Sequence, residues 1–214
     1  MDSKNVSRRK LLALAASVPV VGAVGGLSFA VKGSEFTPTP RQTEGPFYPR
    51  RKPEDIDNDL ASFGETDSLA KGTLLELKGR VFDQQGLPVS GARVELWHCD
   101  GHGQYHHVGA SGPLDKNFQG YGEIVADAEG YYRFRTVKPG VYPGRARHIH
   151  FKVVAPGRRV LTSQMYFDSD MGRNLRDGIY RSLSEAERAA VTMQTRVKPD
   201  GTNTVDAKLD IILT

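Results

Sequence analysis

All six histidines of this 214-residue chain fall in two clusters: His98, His102, His106 and His107, then His148 and His150. Residues two apart on an extended strand project from the same face, roughly 6.5 to 7 Å from each other along the chain. The imidazoles of His148 and His150 can therefore converge on one cation. The intervening residues, Ile149, Phe151 and Val153, are apolar and belong to the core side, which turns the histidine pair away from the main core. On spacing alone, the plainer account of such a pair is a solvated polar strand face. Two tyrosines shift the weighing. Tyr142 stands six residues before His148, just after the turn at Pro139-Gly140, and Tyr105 closes the glycine-bearing loop Asp100-Gly101-His102-Gly103-Gln104. A tyrosine is ordinarily a core aromatic with its hydroxyl at the surface, yet neither of these lies in an alternating apolar run.

The elements that must position these residues read as strands. From Thr73, Leu75, Leu77, Gly79 and Val81 alternate with Glu76, Lys78 and Arg80, the signature of a strand with one buried face. Similar alternation runs through Ala92, Val94 and Leu96, and through Tyr132, Phe134 and Thr136. It recurs from His148 to Val154, from Val160 to Phe167 and from Lys208 to Leu213. Turns bearing Gly86, Gly130 and Gly201 separate several of them. Ser184-Glu185-Ala186-Glu187 is a capping box that opens one helix, running to about Met193. Short alternating strands between such turns indicate an all-β domain, a sandwich or barrel. The expectation is an antiparallel β-sandwich of transthyretin/prealbumin type over residues 73–214, with one short C-terminal helix. Residues 31–72, rich in proline, charge and turn formers, read as an extended N-terminal arm, and the aromatic stretch Gln42 to Pro49 within it is expected on the surface.

Residues 1–30 read as a leader. Arg8-Arg9 precedes an uncharged, largely apolar run from Leu11 to Ala30, and Ser28-Phe29-Ala30 gives a small-x-small cleavage site. This resembles a Tat export signal, with a retained membrane anchor as the alternative. The expected destination is the periplasm or the extracellular space, by way of the Tat export machinery. The formal charge of +4 carries little information about partners: Lys4, Arg8, Arg9 and Lys10 against Asp2 place +3 of it in the leader. What remains is close to neutral and gives no reason to expect nucleic acid. Cys99 is the single cysteine, so neither an internal disulfide nor a Cys-rich zinc site can form.

The motifs taken together resemble a known family. Gly79-x-Val81, Gly86-x-Pro88-Val89, Ala92-x-Val94-Glu95-x-Trp97, Asp100-x-x-Gly103-x-Tyr105, Gly130-x-Tyr132-x-Phe134-x-Thr136 and Pro139-Gly140-x-Tyr142 with Arg145-x-x-His148-Ile149-His150 look like the intradiol ring-cleavage dioxygenases. Thr43 to Tyr48 is similar to that family's N-terminal segment, and the likeness covers about residues 40–167 in order. Only Pro143-Gly144 separates Tyr142 from Arg145, a short link that resembles compact secreted members of protocatechuate 3,4-dioxygenase type.

The resemblance implies a non-haem Fe(III) held by Tyr105, Tyr142, His148 and His150, and cleavage of a catecholic ring by O2 between its hydroxyl-bearing carbons to a cis,cis-muconate-type product. Phenolate is a hard anionic donor suited to a trivalent iron. A tyrosine of ordinary pKa near 10 coordinates at neutral pH because the cation stabilises its anion. In that scheme Tyr142 is ligand and general base in turn, Arg145 stabilises negative charge building on the ring, and Gln164 is a second polar residue over the substrate. His98 is expected to be a hydrogen-bonded core residue, while His102, His106 and His107 flank Tyr105 at the mouth. Two other classes remain as alternatives: a non-catalytic transthyretin-like sandwich module, and a zinc or copper protein using His102, His106 and His107 with the His148 pair. A homo-oligomer is left open.

Overall fold

In the computed structural model, residues 36–64, 68–106 and 112–214 are described; the expected leader and His107 lie outside them. The alternation that opens at Thr73 becomes β1 (Leu74–Asp83), with Leu75, Leu77 and Val81 buried and Glu76 and Lys78 exposed. Then come β2 (Arg93–Trp97), β3 (Tyr121–Val125), β4 (Tyr131–Val137), β5 (His148–Val154) and β6 (Leu161–Phe167). Three short helices follow, α1 (Met171–Asn174), α2 (Gly178–Arg181) and α3 (Glu185–Val191), and then β7 (Thr192–Val197), β8 (Thr204–Lys208) and β9 (Ile211–Leu213). The Ser184 capping box forms as expected, with the serine hydroxyl accepting from Glu187 N and the Glu187 carboxylate accepting from Ser184 N.

The domain is all-β, but the expected antiparallel transthyretin-type sandwich is not what the chain builds. Its strands form one mixed sheet in the order β3-β2-β5-β6-β7-β8-β1-β4, with β9 also on β1. Three pairings are parallel: β6 with β7, β1 with β8 and β1 with β9. The physical reason lies in the connections. A parallel neighbour needs a crossover of a dozen or more residues, usually helical, and the segment holding α1, α2 and α3 supplies it between β6 and β7. The two ends of the sheet are drawn together rather than stacked into layers. Arm residues fill the seam: Glu123 N of β3 donates to Ile56 O at 2.8 Å, and on β4 Arg135 N donates to Asn58 O while Leu60 N donates to Arg135 O. The sheet is thereby curled into a nearly closed barrel.

The strand expected from Lys208 to Leu213 is also broken. Leu209 N donates to Lys78 O, and a Cβ on Gly79 would come within 1.7 Å of Leu209 O, so the chain kinks opposite a glycine that gives it room. Inside the curl, Leu75, Leu77, Phe134, Ile149, Phe151, Val153 and Met165 join one apolar core. Ile149, Phe151 and Val153 do form the core side of β5, so His148 and His150 face outward from it.

Candidate active site

Register assembles the outward face. Trp97 of β2 pairs with His150 of β5, which pairs with Gln164 of β6, and His148 pairs with Tyr166. Directly opposed residues hold their Cβ atoms roughly 4.5–5.5 Å apart, so Trp97, His150 and Gln164 form one row with His148 and Tyr166 beside it. The indole of Trp97 stacks on His150, centroids 5.1 Å apart.

The two tyrosines arrive on loops that dock glycine against glycine. Gly140 N donates to Asp100 O at 2.8 Å, and a Cβ on Gly140 would lie 2.3 Å from Gly103 N and 2.7 Å from Gly101 O. The Tyr105 loop is also tied internally by Asp100. Its Oδ1 accepts from His102 N and Gln104 N, and its Oδ2 accepts from Asp115 N and pairs with His106 Nε2 at 3.2 Å. Burial raises the Asp100 pKa, but the amides of Gln104 and His102 together with His106 outweigh it and hold the carboxyl below its ordinary value. With the loops fixed this way, the rings of Tyr105 and Tyr142 meet edge to face at 6.0 Å, and Tyr105 lies 6.4 Å from His150, centroid to centroid.

Both histidines are almost fully buried, at 3% and 2% exposure. The solvated face that their spacing suggested is therefore covered, and the cover is the arm of the same chain. Gly45 sits where a Cβ would be 3.3 Å from His150 Cε1. Phe47 stacks on Tyr105 at 4.1 Å and meets Tyr142 edge-on at 5.6 Å. Gln164 Nε2 donates to Thr43 O at 3.0 Å. Beyond them Tyr48 donates to the buried Glu95 at 2.7 Å, and Lys152 pairs with Glu44 while lying over the Tyr48 ring. The aromatic stretch expected on a surface is a wall of the site.

Burial makes the imidazoles neutral. It is the largest cause that pushes His148 down to about 4, helped by the Arg145 charge, and it holds His150 well below its ordinary value with His148 adding to it. His148 Nδ1 donates to Ala146 O at 2.7 Å, which fixes the tautomer and leaves a lone pair on Nε2. That nitrogen lies 3.2 Å from His150 Nε2. Two cis ligands at roughly 2.1 Å from one cation are about 3 Å apart, so the pair fits a shared metal. Among the described residues no cluster of three His, Cys, Asp or Glu could hold one. A metal here must draw on the phenols, and two imidazoles with two phenols are a donor set that fits ferric iron. Burial also raises the Tyr105 pKa, so its phenolate needs a cation beside it.

Arg145 and Gln164 are in contact: Arg145 Nη2 donates to Gln164 Oε1 at 2.7 Å, and Gln164 is fully buried. The Arg145 charge is felt by His148, His150 and Tyr105 alike. Tyr142 is partly exposed, beside a cavity of about 290 Å³ lined also by Arg145, Arg173, Arg176 and Asp177. His98 is the expected core residue, its ring nitrogens bonded to Cys99 O and Thr136 Oγ1. His106 is engaged by Asp100, and His102 is exposed. Sequence reasoning missed Phe47, Trp97, Tyr166 and Asp177 at this site. The run Pro46-Phe47-Tyr48 was a signal for the first; strand pairing, which sequence does not display, was needed for Trp97 and Tyr166.

A family model described as Dioxygenase matches residues 43–214. The chain is 36% identical over 159 residues to the protocatechuate 3,4-dioxygenase beta chain of Burkholderia cepacia, covering 69% of this chain and 67% of that protein. It is 34% identical over 187 residues to catechol 1,2-dioxygenase 2 of Acinetobacter lwoffii, covering 74% and 66% respectively. The chain spans about half to two thirds of the length of the curated relatives it matches. Among solved structures, it is similar to the dioxygenase domain of a dioxygenase carbohydrate-binding protein fusion from Streptomyces sp. SirexAA-E. That likeness has a TM-score of 0.66 at 33% identity, over 83% of this chain and 98% of the other.

Proposed function

Because the chain belongs to the intradiol ring-cleavage dioxygenases, we propose that it opens a catecholic ring with O2 between the two hydroxyl-bearing carbons, using an iron(III) held by Tyr105, Tyr142, His148 and His150. The observation that carries this is the approach of the two imidazole Nε2 atoms to 3.2 Å in a buried pocket shared with Tyr105. When bound, the ferric ion supplies Lewis acidity that favours the doubly deprotonated catechol. Tyr142, the partly exposed phenol of the set, is the group we assign to take a substrate proton, since it can move toward the cavity while the buried Tyr105 cannot. Arg145 presents a fixed positive charge toward the developing carbanion. Its Nη2 is oriented by Gln164 Oε1, and Gln164 is fixed in turn by Thr43 O. Trp97 and Phe47 exclude water from the face where the histidines converge. The likeness to catechol and protocatechuate enzymes supports a catecholic substrate.

The test is purification followed by iron analysis, visible spectroscopy and oxygen uptake with catechol, protocatechuate, hydroxyquinol and chlorocatechols. Ferric phenolate absorbs visible light, so a reddish protein with stoichiometric iron and turnover on at least one catechol is expected. A protein that stays colourless and iron-free after reconstitution overturns the assignment. Export rests on Arg8-Arg9 and the apolar run after it. A fusion of residues 1–30 to a reporter should cross the membrane, and Lys substitutions at both arginines should stop it.

A further inference from the structure

The side chain of Asp177 is fully enclosed, and its carboxylate accepts four hydrogen bonds. Oδ1 accepts from Ile179 N at 2.9 Å and Tyr180 N at 3.2 Å, the ordinary work of an N-cap on α2. Oδ2 is turned the other way, toward the segment entering β5, where it accepts from Arg145 Nε and Ala146 N, both at 2.8 Å. A cap needs only the first oxygen and is served equally by serine or asparagine. The second oxygen requires a carboxylate, because both atoms facing it are donors and one belongs to a cation.

We propose that Asp177 is a positioning residue for the reaction, setting the guanidinium of Arg145 over the site; this rests on the role assigned to Arg145 above. Of the five guanidinium N–H donors, Nε–H is committed to Asp177 and one Nη2–H to Gln164 Oε1. Nη2 also reaches the Tyr166 hydroxyl at 3.4 Å, so the plane of the fork is fixed from two directions and Nη1 is left for charge on the substrate. The clamp extends to the backbone. Asp177 holds Ala146 N, and Arg145 N donates to Tyr142 O at 3.1 Å, so the same carboxylate steadies the turn that carries Tyr142. Asp177 touches no reacting atom in this arrangement and acts through Arg145.

The test is a double-mutant cycle on the full chain loaded with iron, combined with a readout that does not depend on iron. Asp177→Ser keeps the cap on α2 and deletes the pair with Arg145. Turnover should fall about 10–100-fold, the scale of a misplacement near 1 Å, with iron content and the visible band retained. In an Arg145→Ala background the same substitution should lower turnover much less than in the parent, because only the bond to Ala146 N is left to lose. The Arg145 Nε–H resonance, slow to exchange with solvent in the parent chain, should exchange rapidly in Asp177→Ser. Equal turnover losses in both backgrounds, or full turnover in Asp177→Ser, would make the carboxylate a helix cap alone and overturn the proposal. Failure of the proposed function shows separately, as a parent chain with no turnover on any catechol.

Discussion

Replacing Gly140 by alanine tests whether the two phenols are held by contact between their loops. Gly140 is not among the glycines with positive φ, so alanine adopts its backbone conformation without strain, and any loss must come from the new methyl group. That methyl would start 2.3 Å from Gly103 N and 2.7 Å from Gly101 O, all backbone, where ordinary contact begins at 3.4 Å. The loops must part by roughly 1 Å, a fraction of the 6.0 Å that separates the Tyr105 and Tyr142 rings. Overpacking of this kind costs about 1–3 kcal/mol of stability, and an ångström of displacement at a reacting centre costs about 10²-fold in rate. Gly140→Ala should therefore bind iron more weakly, shift the visible phenolate band and turn over catechols about 100-fold more slowly. Gly157→Ala is the control. Its φ of +69° makes alanine strained, yet a methyl there meets nothing within 4 Å, so it should lose stability and keep the band. An unaltered band and rate in Gly140→Ala, or the same spectral loss in Gly157→Ala, would refute loop contact as the device that sets the phenols.

The arm is tied down by buried polar contacts. Tyr48→Phe removes the 2.7 Å bond to the Glu95 carboxylate, whose side chain is 2% exposed. Because Arg93 and Lys52 still face Glu95, the loss should fall near the low end of about 1–3 kcal/mol. Faster amide exchange over residues 44–52 is expected; unchanged exchange would show that the arm is held elsewhere. His98 gives the chain an acid-sensitive term. Burial pushes its pKa down to about 4, so as pH falls from about 6.5 toward 4 the unfolded chain takes up a proton that the folded chain refuses, and stability falls. Between pH 7 and pH 5 one such group removes about 2 kcal/mol. His98→Gln, compared with the parent in the same metal state by urea unfolding, should lose about that much less over the interval; parallel losses would contradict the assignment.

Local pattern was enough for what local pattern controls. The alternation at Leu75 to Val81 and at Ile149 to Val153 gave the buried face of each strand, and Ser184 with Glu187 gave the start of α3. The order of the motifs gave the candidate ligands, of which His148 and His150 are brought together directly and Tyr105 and Tyr142 through ring contacts. Strand partners were not legible. Alternation says which side of a strand is apolar and nothing about its neighbour, so the parallel pairs on β1 and β6 were invisible and the antiparallel sandwich was the wrong architecture. β3 was missed because Gly122 interrupts its alternation; a Cβ there would lie 2.3 Å from Asp57 O, and the arm is packed against that glycine. β7 was partly absorbed into α3, since the helix ends at Val191 and the strand begins at the next residue.

The covered face of β5 also explains why composition understated this site. Outward-facing histidines on a curled single sheet would be hydrated, and hydrated imidazoles are in part charged near neutral pH and exchange tautomers freely. The chain changes that with a segment having almost no regular structure, which carries Gly45 against His150, Phe47 against Tyr105 and Tyr48 against Trp97. Backbone bonds tie that segment at either end, Gln42 N to Thr162 O and Glu123 N to Ile56 O, and between them it is held by contacts at its rim: Glu44 to Lys152, Tyr48 to Glu95 and Thr43 O to Gln164. Gln164 sits on the row through the site, and Glu95 and Lys152 oppose each other in the row beside it. Fixing the arm and orienting the site are then one set of contacts, and a substitution that loosens the arm should disturb Gln164, and through it Arg145, before it unfolds the sheet. The barrel supplies the direction of the histidines, while the arm supplies the dry, low-dielectric pocket in which a fixed charge such as Arg145 is worth most to the reaction.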